Sequence, residues 1–240
     1  MAFIRKYALP VTLVTGLILF FSTGTHKLVS WETISSNYSM LKEFANDRFL
    51  TSYALFLLLY LIVVAFSLPV ALPLTLTGGA LLGWPAGMVI ILAATLGAGV
   101  VFIAARTVFT DFLRVKAGPF VARLEAGFND NAFSYLLALR LIPVAPFWVV
   151  NIIPGLTRMK LSAFLLATFI GIMPGTMVFV AVGRGFDTIL ASGQTPDLSV
   201  LSSPSILIAL GGLGALSLMP VIYKRASSQR KQSETPRCRQ

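Results

Sequence analysis

The fold is decided by residues 140–155, which read Arg-Leu-Ile-Pro-Val-Ala-Pro-Phe-Trp-Val-Val-Asn-Ile-Ile-Pro-Gly. The stretch lies in a very apolar part of the chain, yet it holds a cation, an amide and three prolines. Proline removes a backbone donor and breaks the helical hydrogen-bond ladder. In hydrocarbon every backbone polar group needs a partner, so a broken helix is tolerated only where protein or a water-filled cavity covers it. We therefore interpret this stretch as a re-entrant element that lines a site.

The composition is that of an integral membrane protein. Of the 240 residues, 56% are hydrophobic and 12% are charged, whereas soluble domains carry about 25% charged residues. The net charge of +10 lies at the edges of apolar blocks, which indicates membrane topology and anionic lipid surfaces rather than nucleic-acid binding. Cys238 is the only cysteine and His26 the only histidine. We therefore expect no intramolecular disulfide, no metal or cofactor site and no enzyme activity.

The apolar blocks and their flanks divide the chain into a membrane domain and terminal additions. The membrane domain covers residues 52–185 and contains two clean spans of about the ~20 residues that a bilayer requires. Those spans are predicted at 85–105 and 161–183. The additions are an N-terminal transmembrane helix in residues 1–25, a C-terminal transmembrane helix at 204–223 and a disordered basic tail at 224–240.

Charge patterning predicts which segments lie in the cytoplasm. The N-terminus, residues 106–131, residues 156–160 and the tail are basic, so the positive-inside rule puts them, and both termini, in the cytoplasm. Residues 106–131 are predicted to form an amphipathic surface helix. Residues 26–51 and the loop-like residues 184–203 carry no positive excess and are predicted to lie outside. The 26–51 connector either lies partly flat on the membrane or is an ordinary solvated connector.

This topology predicts an inverted repeat. Residues 52–84 must begin and end outside, and residues 132–157 must begin and end inside, so each is interpreted as a re-entrant hairpin. The predicted fold class is therefore an all-α polytopic membrane protein in which each hairpin precedes one transmembrane helix. Such inverted repeats are a recurring transporter design. A plain bundle with kinked spans stays open as the alternative, because residues 52–68 are long enough to cross.

The candidate site residues are those that could hold an anionic headgroup. The guanidinium of Arg140 suits phosphate, which it can hold with two parallel hydrogen bonds, and Asn151 adds a neutral donor and acceptor. Backbone groups freed at proline and glycine breaks are expected to face the same cavity. Arg140 could instead extend to the interface, and Asn151 could instead join two helices. The full predicted substrate-binding set is Arg140, Asn151, Pro143, Pro146, Phe147, Gly155, Gly79 and Gly83.

The motif positions resemble those of the DedA superfamily, and in particular its SNARE-associated Golgi protein branch, also called the VTT domain. Three motifs carry the resemblance, which covers roughly residues 60–185. They are Arg140-Leu-x-Pro143-x-x-Pro146-Phe147-x-x-x-Asn151-x-x-x-Gly155-Leu-Thr157; Gly171-x-x-Pro174-Gly175-Thr176 with Gly183; and Gly78-Gly79-Ala-Leu-Leu-Gly83.

The resemblance implies two facing re-entrant hairpins and a role in moving lipids between leaflets, as in a scramblase, or in transport coupled to membrane energetics. The chain departs from the bacterial DedA pattern, which places acidic residues near the first hairpin and more than one arginine in the second motif. Here the nearest acids, Glu43 and Asp47, lie before the first hairpin, and Arg140 is the only charge inside an apolar block. A proton relay through buried carboxylates is therefore poorly supported.

We predict a protein of the cell membrane that moves phospholipid or lipid-carrier headgroups between leaflets without ATP, with membrane phospholipids as its partners. Two alternatives stay open: an ion-coupled transporter of a small solute, and a membrane-organisation protein that transports nothing. A homo-oligomer is also left open.

Overall fold

The computed structural model describes residues 15, 16, 18, 22, 31–109, 132–141 and 147–191. The predicted N-terminal helix falls outside the described residues except at four isolated positions. Most of the amphipathic segment 106–131, the C-terminal span 204–223, the basic tail, Pro143 and Pro146 also lie outside them. Within the described ranges every regular element is helical.

Two short helices occupy much of the predicted connector. Helix α1 covers Trp31–Ser36 and helix α2 covers Tyr38–Asp47. Helix α2 is amphipathic, with Tyr38 and Ala45 buried. It meets the next helix, α3 (Phe49–Ala65), at Arg48, where the chain bends by 119°. The connector is thus helical at least from Trp31 onward.

The first predicted hairpin consists of α3 and of helix α4, which covers Ala71–Leu82. The break between them contains Ser67, whose φ of 53° is unusual for a residue with a side chain. The paired Gly78 and Gly79 predict either a tight turn with a broken helix end or a close backbone approach. The helix break is wrong, because α4 continues through both glycines to Leu82 and ends at Gly83 with a φ of 70°. The two glycines are instead sites of close packing, described below.

The two predicted spans are present with nearly the predicted bounds. Helix α5 covers Pro85–Ala104 and continues into a π-helical turn at Ala105–Phe109. Helix α8 covers Leu161–Gly185. By length and composition these are the two helices of the described part that could cross a membrane, or three if α2 and α3 together count as one broken span.

The elements of the second predicted hairpin are helix α6 (Ala132–Leu141) and helix α7 (Phe147–Leu156). Helix α8 follows after a short non-helical segment at residues 157–160. The short helix α9 covers Asp187–Ala191, where the sequence analysis predicted a loop. It packs through Leu190, which is buried against Ile34 and Tyr38 in a small apolar cluster.

Helix α5 lies at the centre of the core, because small side chains let its neighbours approach closely. Ala86, Ala93 and Ala98 are fully buried. A Cβ on Gly97 would lie 2.8 Å from the carbonyl oxygen of Leu61 on α3. Small residues at helix contacts are typical of membrane bundles. Helices α3, α7 and α8 all pack against α5.

Candidate functional site

A cavity of about 430 Å³ lies between the first hairpin, α6 and α8. Its described wall is mostly apolar, with a few polar groups contributed by different helices. Arg140 is the one charged residue of that described wall. An apolar pocket with a small number of placed polar groups is the usual form of a small-ligand site. The polar and charged members of the wall are Tyr60, Thr75, Arg140 and Thr176.

The guanidinium of Arg140 is held in place by two side chains. Its Nη2 donates to Asn151 Oδ1 at 2.5 Å and to Thr168 Oγ1 at 3.1 Å. Its Cζ lies 5.6 Å from the ring centroid of Phe164, within range of a cation–π contact. Arg140 is half-buried and reaches the cavity wall. A cation is therefore fixed at the cavity wall by two neutral side chains, one from α7 and one from α8.

Asn151 lies on α7 and is fully buried. Its Oδ1 accepts the hydrogen bond from Arg140 of α6. Its Nδ2 has no hydrogen-bond acceptor among the described residues. A buried amide donor without an acceptor costs free energy comparable to a lost hydrogen bond. Asn151 is not among the residues of the described cavity wall, so its contribution to the site is that it holds Arg140.

On the facing wall, Tyr60 of α3 and Thr75 of α4 form a neutral pair with 2.9 Å between their hydroxyl oxygens. Thr75 Oγ1 donates its proton to the carbonyl of Ala71 at 2.8 Å. A hydroxyl has one proton, so Tyr60 is the donor in this pair. The first hairpin thus joins its two legs with a side-chain hydrogen bond, as Arg140 and Asn151 join α6 and α7.

The structure brings together only part of the predicted site. Arg140 and Asn151 are in contact, and Phe147 is the first residue of α7. Gly79 and Gly155 lie at helix crossings and Gly83 ends α4, and these three are not among the residues of the cavity wall. Sequence reasoning missed Tyr60, Thr75 and Thr168. Their signal was a hydroxyl group inside an otherwise apolar block, which is a weak signal because threonine is common in such helices.

Glycines mark two reciprocal helix crossings. The position of a Cβ on Gly79 of α4 would overlap the backbone carbonyl of Val180 on α8, and that on Gly183 would overlap the carbonyl of Leu76. On the other side of the molecule, a Cβ on Gly155 of α7 would lie 2.7 Å from the carbonyl oxygen of Phe102 on α5. Thus α4, the second helix of the first predicted hairpin, packs against α8. Likewise α7, the second helix of the second predicted hairpin, packs against α5.

Arg106 holds the C-terminal end of α7. Its Nε donates to the carbonyl of Gly155 at 3.2 Å, and its Nη2 donates to the carbonyls of Thr157 and Met159 at 2.8 and 2.6 Å. Its Cζ lies 4.4 Å from the ring centroid of Phe102. Carbonyls at a helix C-terminus lack intrahelical donors, and a cation satisfies them favourably. Asn151 lies one turn before Gly155, so this contact also positions Asn151.

The end of α4 is held in a comparable way by α2. Lys42 Nζ donates to the carbonyl of Ala80 at 2.8 Å, and Tyr38 Oη lies 3.0 Å from the same carbonyl oxygen. Both side chains also contact the carboxylate of Asp187 at the start of α9, at 3.2 and 2.5 Å. We call Tyr38, Lys42 and Asp187 the α2 clamp.

The α2 clamp shifts the pKa values of its members. Burial raises the pKa of Tyr38, and the adjacent Asp187 carboxylate raises it further. Burial would by itself raise the pKa of Asp187 as well. Hydrogen bonds from Tyr38 and Lys42, with the charges of Lys42 and Arg184, outweigh burial and lower it. The carboxylate is therefore ionised at neutral pH.

The chain is similar in sequence to a known domain family and to several known proteins. The VTT domain model matches residues 68–185. The chain is 35% identical over 166 residues to an uncharacterized protein, YqeD, of Bacillus subtilis, covering 68% of this chain and 71% of that protein.

Two eukaryotic relatives are more distant. The chain is 27% identical to a Transmembrane protein 41 homolog of Dictyostelium discoideum, covering 78% of this chain and 55% of that protein. It is 26% identical to Transmembrane protein 41B of Xenopus laevis, covering 71% and 61%. It thus spans less than two thirds of these two relatives. No solved structure matches the chain.

Proposed function

Because the chain belongs to the VTT domain family of membrane proteins, we propose that it moves the headgroups of anionic phospholipids or lipid carriers between the two leaflets of the cell membrane, without ATP. The single observation that carries this proposal is the fixed cation on the cavity wall: Arg140, held in one direction by Asn151 and Thr168. The family sets the class of protein, and this geometry supports the choice of a phosphate-bearing ligand.

The chemistry of the wall favours an anion. Placing an arginine at the centre of a membrane helix costs about 2.5–3.5 kcal/mol on insertion scales, so such residues usually have a function. The side chains that hold Arg140 from behind the cavity wall are an amide and a hydroxyl, which fix its direction and carry no charge of their own. Phosphate oxygens would receive charge-assisted hydrogen bonds there. While the headgroup occupies the cavity, the acyl chains would stay in the surrounding hydrocarbon.

The proposal includes the inverted repeat of re-entrant hairpins. Helices α3, α4 and α7 have 17, 12 and 10 residues, so at 1.5 Å per residue they are about 25, 18 and 15 Å long. A bilayer core is roughly 30 Å thick. Legs of this length fit hairpins that enter and return, and the lengths of α5 and α8 fit full crossings.

The reciprocal contacts support the same symmetry. Gly79 approaches the carbonyl of Val180, and Gly155 approaches that of Phe102. Counting from these two carbonyls, Arg184 and Arg106 are each four residues further along their helices. In the hairpins, Thr75 and Asn151 are each four residues before the contact glycine. Two units related by a two-fold axis in the membrane plane would have these equivalences.

Liposomes test the proposed transport directly. The purified full-length chain is reconstituted into vesicles that contain a trace of fluorescent phosphatidylglycerol in both leaflets, and a membrane-impermeant reductant is added outside. Protein-free vesicles lose about half of the fluorescence. With a scramblase nearly all of it is lost, because inner-leaflet lipid becomes accessible. Loss that stays at the protein-free level with well-inserted protein would refute lipid movement.

Two variants and one solute assay complete the test. Arg140→Ala should remove the movement of phosphatidylglycerol, whereas Arg158→Ala, a change at an exposed cation, should leave it intact. Vesicles with a pH-sensitive dye and radioactive phosphate outside test the alternative. Uptake of phosphate or protons without lipid movement would favour an ion-coupled solute transporter instead.

A further inference from the structure

A second space lies where α2 bends away from the first hairpin. It is a groove of about 280 Å³ walled by α1, α2, α3 and α4. We call it the bend groove and define it by Phe44 of α2, Leu55, Phe56 and Leu59 of α3, and Leu74 and Leu81 of α4.

The described wall of the bend groove offers almost no polar group to a ligand. Ser52 and Thr77 are its polar members, and both hydroxyls are used within the protein. Ser52 Oγ donates to the carbonyl of Phe44 at 3.3 Å, and Thr77 Oγ1 donates to that of Pro73 at 2.9 Å. A headgroup or a hydrophilic solute would lose its water there without compensation. The wall therefore fits an apolar chain.

The groove is open at its side. Leu55, Leu59 and Phe44 remain 54%, 44% and 38% exposed although they line it. Contiguous exposed apolar surface marks a site of interaction with lipid or protein. Since α3 is as apolar as a membrane helix, this opening faces hydrocarbon when the protein is in a bilayer.

A cationic side chain, Arg48, lies next to the groove. Arg48 joins α2 to α3, and its Cζ lies 5.9 Å from the ring centroid of Phe44. Arg48 is exposed, whereas Glu43 and Asp47 line a different, polar pocket together with Lys42. An apolar groove with an adjacent exposed guanidinium is complementary to a lipid that carries a phosphate.

The bend groove and the cavity share the first hairpin. Phe56 lines the groove and Tyr60, one turn later, lines the cavity, with 6.1 Å between their ring centroids. On α4, Leu74 lines the groove and its neighbour Thr75 lines the cavity. A lipid in the groove is thus separated from the cavity by one aromatic pair.

We propose that the bend groove binds one acyl chain of a phospholipid whose phosphate contacts Arg48. We further propose that this bound lipid is the one delivered to the cavity, past Phe56 and Tyr60. The first part concerns binding alone, and the second part rests on the proposed function. A lipid that enters sideways from the bilayer, rather than a solute that enters from water, would then be the substrate class.

Binding is measured on the detergent-solubilised full-length chain by native mass spectrometry during titration with phosphatidylglycerol. Leu59→Trp fills the groove, and Leu58→Trp, on the exposed neighbouring position outside it, is the matched control. Leu59→Trp should weaken the tightest lipid binding roughly tenfold, as expected for displacing about two methylene groups. Leu58→Trp should not change it. Leu55→Phe is a milder filling variant that replaces Leu59→Trp if the latter unfolds.

Three results would overturn the binding proposal. One is equal affinity of the Leu59 and Leu58 variants, which would indicate ordinary boundary lipid. Another is competition by glycerol phosphate as strong as by the intact lipid, since a chainless headgroup cannot use the groove. The last is efficient cross-linking of a cysteine at position 59, in a Cys238→Ser background, to the N-terminal part of the same chain, which would make a protein segment the occupant.

The delivery step has a separate readout. If wild-type protein binds the lipid but moves none in liposomes, the proposed function fails while the groove remains a binding site. If wild-type protein moves lipid and Leu59→Trp moves it at the same rate, delivery through the groove is refuted while the proposed function stands. Delivery predicts that Leu59→Trp slows lipid movement and Leu58→Trp does not.

Discussion

Arg140 on α6 and Asn151 on α7 are joined by a hydrogen bond of 2.5 Å between Nη2 and Oδ1. The bond joins the two helices that flank residues 142–146, so it fixes α6 and α7 relative to each other. It also fixes the direction of the one charge on the described cavity wall. Stability and function are therefore both linked to this contact, and two substitutions separate them.

Asn151→Asp tests whether the positive charge of Arg140 is what matters for lipid movement. The carboxylate would keep the hydrogen bond and neutralise Arg140, so thermal stability in detergent should be retained while movement of anionic lipid in liposomes is lost. Asn151→Ala should reduce both, because a hydrogen bond to a charged donor contributes about 1.5–3 kcal/mol. Lipid movement by Asn151→Asp at the wild-type rate would show that the net charge of the site is irrelevant.

The crossing of α4 and α8 predicts different results for two glycines on one helix. Gly183→Ala should destabilise the protein by roughly 1–3 kcal/mol, because its Cβ would overlap the carbonyl of Leu76. Gly185→Ala meets no atom within 4 Å, and it should be neutral or stabilise by up to about 1 kcal/mol. Thermal unfolding of both variants in the same detergent provides the comparison. Equal shifts in midpoint would contradict the close crossing.

Arg106→Ala should loosen α7, because the carbonyls of Gly155, Thr157 and Met159 would lose their donor. Hydrogen–deuterium exchange in nanodiscs should rise across residues 150–156, with a loss of roughly 1.5–3 kcal/mol in stability. Arg158→Ala removes a charge next to the same helix end and should leave that exchange unchanged. Similar exchange in both variants would mean that Arg106 contributes only topological charge.

The α2 clamp predicts a loss of stability in acid. The pKa of Asp187 in the folded protein is below its ordinary value of 3.8, so ionisation stabilises the folded state above that value. The contribution is lost as the pH falls through the folded pKa. It is small, about 1 kcal/mol or less, since the Lys42–Asp187 pair is partly exposed to solvent.

Thermal midpoints of wild type and Asp187→Asn between pH 7 and pH 3 measure this effect. The difference between the two proteins should be constant near neutral pH and shrink in acid. A difference that grows as the pH falls would contradict a lowered pKa.

The sequence was sufficient to predict helices from the length of apolar runs and helix breaks from proline. The spans at 85–105 and 161–183 agree with α5 and α8 within two residues at each end, because a run of about 20 apolar residues has few alternatives. The motif-based family assignment is confirmed as well. The contact of Arg140 with Asn151 was suggested by the scarcity of polar groups in an apolar block.

The remaining features depend on three-dimensional packing. Gly78 and Gly79 were expected to break a helix, but both lie inside α4, where Phe56 and Val180 occupy the space that side chains would take. Tyr60 and Thr75 are fifteen residues apart, and periodicity does not predict that they pair. The α2 clamp joins residues 145 or more positions apart. No local pattern predicts such a contact.

The inverted arrangement of the two hairpins is tested most directly by single cysteines in a Cys238→Ser background, labelled from one side of the membrane with an impermeant maleimide. Cysteines at Glu43 and Trp84 flank the first hairpin, and cysteines at Thr107 and Arg158 flank the helices of the second. With the two hairpins inverted, Glu43→Cys and Trp84→Cys are expected to react from outside the cell, and Thr107→Cys and Arg158→Cys only after the membrane is permeabilised. Labelling of positions 43 and 84 from opposite sides would make α3–α4 a crossing segment and would refute the inverted arrangement.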